Sequence, residues 1–297
     1  MACRALRGYR RDRQKHSWEF PMKSNRCRVA SVVAAFVLSA CATAPAPAPQ
    51  PAATSPGASL GFLPGFLQRE VLPNSLLLLP PPPAVGAPAF AADEAAYRST
   101  RALRGTPRWD LAVQDADLRF PGSLGTFSCA IGAPITPQDT PLLYDLLRRS
   151  TTDGAVATNA AKDHYKRVRP FAEYNEESCT PKEEGILRTN GSYPSGHTAI
   201  GWTWALILTE LSPQHADAIL QRGYAFGQSR VICGVHWQSD VNEGRVVAAG
   251  VVARLHADDG FNVALREAKK ELDAVYRKGL KPTRDCAAET AALVPQK

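Results

Sequence analysis

No stretch of this 297-residue chain is apolar for long enough to cross a bilayer as a helix. The best candidate, Val29–Ala40, has twelve residues, whereas a spanning helix needs about 20. That excludes a protein with several membrane spans. Alternating apolar and polar residues never extend over a useful strand length, so a β-sheet core is not expected. A surplus of cations on the folded part is also missing. Residues 1–40 carry nine of the 35 Lys/Arg and two of the 28 Asp/Glu, which leaves 26 of each from Cys41 onward. A groove for nucleic acid would need more positive charge than that. Clustered metal ligands are absent too: Cys129, Cys179, Cys233 and Cys286 lie far apart, and only Cys233 has a histidine, His236, close behind it.

What is present begins with a leader. Basic residues precede the twelve-residue apolar run, the order of a secretory signal. Met22–Ala40 alone makes a complete one, with Lys23, Arg26 and Arg28 as its basic region, and Met22 is the expected start. The run ends in Leu38-Ser39-Ala40-Cys41, which resembles a bacterial lipobox with Cys41 as the lipidated residue. Ordinary cleavage within Ala42–Ala44 is the alternative. Ala42–Gly57 is rich in Ala and Pro and reads as an extended tether. The expected organisation is a signal over 1–40, a tether over 41–75, a folded domain over 76–280 and a tail over 281–297. The four cysteines outside the leader suit an oxidising compartment with one or two disulfides, and the spacing leaves all three pairings open.

Within the domain nearly every periodic segment reads as helix. Expected helices run over Asp93–Leu103, Pro107–Asp117, Thr140–Arg149, Ala155–Arg169, His197–Leu211, Ser212–Arg230, Asp240–His256 and Asn262–Lys278. His197–Leu211 is apolar nearly all round, as a central buried helix should be, and Asn262–Lys278 is amphipathic and charged, as an outer one should be. The fold class is all-α: a single-domain helical bundle.

Three segments hold residues with chemistry. Lys162 and Arg169 are seven apart, which on one helix places both on one face, two turns apart. The neighbouring Lys166 and Arg167 allow the plainer reading of a solvated basic face. Pro194-Ser195-Gly196-His197 directly precedes the apolar helix. There Ser195 can cap the helix, while Gly196 and the free amides of the first turn can meet an anion. His236 and Asp240 are four apart, so on one helix they face the same side. A carboxylate on one ring nitrogen leaves the other as a lone pair. Arg230 stands six residues before His236, across Cys233-Gly234, where a helix would break and let the two side chains converge.

Taken together, Lys162-x6-Arg169-Pro170, Pro194-Ser195-Gly196-His197 and Ser229-Arg230-x5-His236-x3-Asp240 resemble the signature of the type-2 phosphatidic-acid-phosphatase and vanadium-haloperoxidase superfamily. Leu79–Pro83, Gly105–Trp109, Asn190–Tyr193 and Gly227–Gly234 are similar to the class A bacterial non-specific acid phosphatases specifically. The resemblance implies an all-α fold and hydrolysis of small phosphate monoesters at acid pH. It also implies no metal or other cofactor, and assembly into a homo-oligomer. It makes His236 the nucleophile, Asp240 its orienting carboxylate and His197 the proton donor. Lys162, Arg169, Arg230, Ser195 and Gly196 would bind the phosphate. A vanadate-dependent haloperoxidase would use the same residues and is the nearest rival; the class A flanking segments argue against it. A non-enzymatic, anion-binding envelope lipoprotein is the rival from another class. The leader points to the periplasm, with Cys41 anchoring the protein to the envelope, the outer membrane being the expected side.

Overall fold

The computed structural model describes residues 60–294, and the leader, Cys41 and the first part of the tether lie outside them. Among the described residues there are helices and turns but no strand. The principal helices are α1 (Pro88–Thr100), α2 (Pro107–Asp115), α3 (Pro141–Val156), α4 (Asn159–Tyr165), α5 (Gly196–Leu211), α6 (Ala216–Ile232), α7 (Gln238–Leu255), α8 (Asp259–Lys278) and α9 (Cys286–Leu293). No described helix is long and apolar enough to cross a membrane.

Helix α5 is the axis of the bundle and packs against α3, α6 and α7. Its sequence dictates this, because apolar or small residues occupy nearly every direction around it. Ala199, Ile200, Thr203, Trp204, Ala205, Ile207 and Leu208 are all buried. The Trp204 indole N–H would be costly to bury alone; it donates to the Leu147 carbonyl at 3.0 Å and the Thr151 hydroxyl at 3.1 Å. Gly201 lets α6 come close: a Cβ there would stand 2.2 Å from Phe226 Cδ1. Helix α8 buries Phe261, Leu265, Ala268, Leu272 and Val275 at helical spacing and keeps its charged face outward. Its Glu271 carboxylate accepts the Leu142 and Leu143 amides at 3.1 and 2.9 Å, which caps the start of α3 with negative charge.

The folded part is longer than 76–280 at both ends. Residues 60–75, assigned above to the tether, pack on the body. Phe66 is buried edge-on against Phe261. The Asp153 carboxylate accepts the Phe66 and Leu67 amides at 3.0 and 3.1 Å, and Arg148 Nε donates to the Gly61 carbonyl at 2.7 Å. The average composition of this stretch hid four apolar anchors, Phe62, Phe66, Leu67 and Leu72. At the other end, α9 lies within the expected tail, packs against α2 and is held by the Cys129–Cys286 disulfide. The second disulfide joins Cys179 to Cys233.

Candidate active site

The segment between Lys162 and Arg169 is not one helix. Helix α4 stops at Tyr165, Lys166 takes the left-handed conformation at φ 44°, and Arg169 is extended in front of a short turn, Pro170–Glu173. The proline is the cause, since the residue before it is driven out of helical conformation. The two cations converge nevertheless. Lys162 Nζ donates to the Gly191 carbonyl at 2.8 Å. Arg169 donates from Nε to the Leu187 and Asn190 carbonyls at 2.9 and 3.2 Å, and from Nη1 to the Val235 carbonyl at 2.9 Å. Carbonyls aim these side chains without neutralising them. The loop that supplies all of these carbonyls but that of Val235, Leu187–Gly191, was not recognised in the sequence as part of the site.

Arg230 reaches the same region from the last turn of α6. It is 0% exposed, and among the described residues its Nε and Nη2 have no partner and Nη1 meets only Cys233 Sγ, at 3.9 Å. Burial pulls Arg230 and Arg169 down to about 10 each and holds the Lys162 ammonium well below its usual range. None of the three forms an ion pair among the described residues. Buried charges are normally paired, so this is a site built to receive an anion.

Ser195 is the N-cap of α5: its hydroxyl accepts the Thr198 amide at 3.3 Å and the Thr198 hydroxyl at 2.9 Å. The side chain therefore serves the helix, and what the segment can offer a ligand is its first-turn backbone. At Gly196 a Cβ would stand 3.7 Å from Thr158 Oγ1 and 3.8 Å from Lys162 Cε. His197 follows in the first turn. Its Nε2 donates to the Ala116 carbonyl at 2.9 Å, which leaves Nδ1 as the free ring nitrogen. Burial first, then Arg230, holds this imidazole well below its usual range, and the Ala116 contact opposes them.

His236 and Asp240 do not share a helix either. His236 precedes α7, whose N-cap is Trp237, and Asp240 is in the first turn. Asp240 Oδ2 caps the helix by accepting the Trp237 amide at 2.8 Å and lies 3.4 Å from His236 Nδ1. On the other side of the ring Arg169 Nη1 is 3.1 Å from Nε2. Arginine only donates, so Nε2 carries the lone pair and Nδ1 the proton. Burial, then Arg169, Lys162 and Arg230, keep this histidine neutral far below its usual range.

Asp240 has a second partner that sequence reasoning placed on a solvated face. Arg167 donates to Asp240 Oδ1 at 2.6 Å, to Asp93 Oδ2 at 2.8 Å and to the Ser239 hydroxyl at 2.7 Å. The reversal at Lys166 turns Arg167 inward, and Asp93 comes from α1, far away in the chain. Counting Lys162, Arg167, Arg169 and Arg230 against Asp93 and Asp240 leaves two positive charges with both imidazoles neutral, the complement of a phosphate dianion. No group of three His, Cys, Asp or Glu side chains suited to a metal ion occurs among the described residues.

Residues 150–262 match the PAP2 superfamily. Over 207 residues the chain is 50% identical to a non-specific acid phosphatase of Providencia stuartii, an alignment covering 69% of this chain and 84% of that protein. It is 46% identical over 209 residues to a non-specific acid phosphatase of Salmonella typhimurium, covering 70% and 84%. An acid phosphatase of Zymomonas mobilis is 46% identical over 200 residues, covering 67% of this chain and 76% of that one. With all three signature segments meeting in one buried cationic site, the chain belongs to the class A bacterial non-specific acid phosphatases of the PAP2 superfamily.

Proposed function

We propose that this acid phosphatase hydrolyses phosphate monoesters through a phosphohistidine formed on His236, without a metal. The observation that carries the reading is Arg230, a buried guanidinium with two unpartnered nitrogens, beside an imidazole whose Nε2 lone pair is fixed by Arg169 and Asp240. Lys162, Arg169, Arg230 and the backbone at Ser195–His197 hold the non-bridging oxygens and stabilise the charge of the transition state. His236 Nε2 attacks phosphorus in line and the bond to the leaving oxygen breaks. His197 Nδ1, unprotonated in the empty site, takes up the proton that the monoanionic ester brings and delivers it to that oxygen. Water then attacks the phosphohistidine and gives a proton to His197 Nδ1, the P–N bond breaks, and phosphate leaves with that proton, which returns both rings to their neutral starting states. Throughout, His236 keeps its Nδ1 proton toward Asp240.

The N-terminal motif supports a place for the enzyme outside the cytoplasm, tethered through lipidated Cys41, and two disulfides suit an oxidising compartment. Rapid quench with labelled p-nitrophenyl phosphate tests the chemistry. An acid-labile phosphoryl group should map to His236, and turnover should be unaffected by excess EDTA. Label on His197, or activity lost to EDTA and restored by zinc or magnesium, overturns the reading.

A further inference from the structure

The carbonyl that holds His197 belongs to the end of a helix. The last turn of any helix leaves carbonyls without internal partners, and Ala116, the C-cap of α2, turns one of them to His197 Nε2. That end of α2 is fixed by the residue before it. Asp115 is 1% exposed. Its Oδ2 accepts from Arg222 Nη1 at 3.1 Å and from the Ser229 hydroxyl at 2.6 Å, and its Oδ1 accepts from Arg222 Nη2 at 2.5 Å. Arg222 and Ser229 both lie on α6, the helix that carries Arg230. From α2, Arg108 also donates to the Ser229 hydroxyl, at 3.0 Å. The pair is thus two-pronged, with a hydroxyl as a third point.

A buried ion pair of this kind adds little stability compared with a well-packed apolar contact. What it adds is direction, because the planar fork fixes both the distance and the orientation of the helices it joins. We propose that Asp115 is a positioning residue for phosphoryl transfer. It pins the end of α2 to α6 so that the Ala116 carbonyl holds the His197 ring with Nδ1 facing the leaving oxygen. This rests on the reading of His197 as proton donor. The negative end of α2 also lies where it favours the protonated imidazole, the same sense in which the Ala116 contact acts.

A loss of proton donation has a signature that a general loss of structure lacks. Glycerol 2-phosphate expels an alkoxide that needs the proton, whereas p-nitrophenyl phosphate expels a phenolate that hardly does. His197→Ala should lower kcat/KM, which reports the steps up to the phosphohistidine, by about 10²-fold or more for the alkyl ester and much less for the aryl ester. Asp115→Asn should show the same split, about 10-fold, and should add no further split in the His197→Ala background. Ser229→Ala removes one bond to Asp115 and leaves its ion pair with Arg222 in place, and should show a smaller split of the same sign. It keeps the test open if Asp115→Asn does not fold. If His197→Ala separates the esters while folded Asp115→Asn and Ser229→Ala slow both equally, or neither, the role of Asp115 is refuted alone. If His197→Ala fails to separate them, the reading of His197 falls first.

Discussion

Replacing Arg230 by methionine should make the empty enzyme more stable and catalytically dead. The guanidinium is fully buried and two of its nitrogens lack partners. Burial draws its pKa down to about 10; at about 1.4 kcal/mol per pH unit, the charged form is disfavoured in place by about 3 kcal/mol. Methionine has a similar reach, fills the space and carries no charge. In phosphate-free buffer Arg230→Met should therefore gain up to about 3 kcal/mol, or about 6–12 °C in Tm for a fold of this size. Added phosphate should reverse the ranking. At about a hundred times its Kd it stabilises the wild type by about 2.7 kcal/mol, and the variant should respond weakly. The assay is a thermal melt of both proteins across a phosphate titration, alongside p-nitrophenyl phosphate turnover. Arg230→Met melting below the wild type without phosphate, or phosphate raising both melting points equally, would refute a guanidinium held at a cost for an anion.

Arg167→Met should do the opposite to stability, because it strands the buried Asp93 and Asp240 carboxylates; a loss of about 3–5 kcal/mol is expected in thermal melts, and turnover should fall with it. The pH profile of kcat/KM should keep its acid limb well below 6.5, since burial and three cations hold His236 neutral there. Activity should decline above about pH 6, where the ester loses its second proton: His197 is held neutral in the empty site, so the leaving-group proton enters with the substrate. An optimum above pH 8 would contradict this. Cys41→Ser should shift the protein from the membrane to the soluble fraction or block processing, and mature soluble protein beginning at Ala42 or later would remove the lipid anchor.

The all-α class and the charged half of the site were legible in the sequence because each depends on residue type at short range. The apolar run His197–Leu211 can only be central, and Lys162, Arg169, Arg230, His197 and His236 stand in segments that resemble the superfamily signature. Arg167 was not legible. Beside Lys166 it looks like half of a solvated basic pair, and only the left-handed turn at Lys166 and an aspartate from α1 reveal it as the support of Asp240. The shared helices assumed for Lys162 with Arg169 and for His236 with Asp240 failed for a related reason: the candidate site residues sit at breaks, where left-handed Lys166 and Gly234 end the helices, and periodicity is blind to breaks. Phe62-Leu63-Pro64-Gly65-Phe66-Leu67 carried a signal for the early start of the fold, but an averaged composition diluted it. The cysteine pairing depends on how the ends of the chain meet, which no spacing encodes.

The Cys129–Cys286 bridge closes a ring over a sequence separation of 157 residues, and the candidate site residues from Lys162 to Asp240 lie inside it. A loop of that length restricts the unfolded chain by about 5 kcal/mol in the loop-entropy picture. It also changes what proteolysis can do. A single backbone cut anywhere between the two cysteines, including the exposed stretch around Glu184–Asn190, separates no fragment from the rest. Nicked enzyme should run as one band without reductant and as two with it.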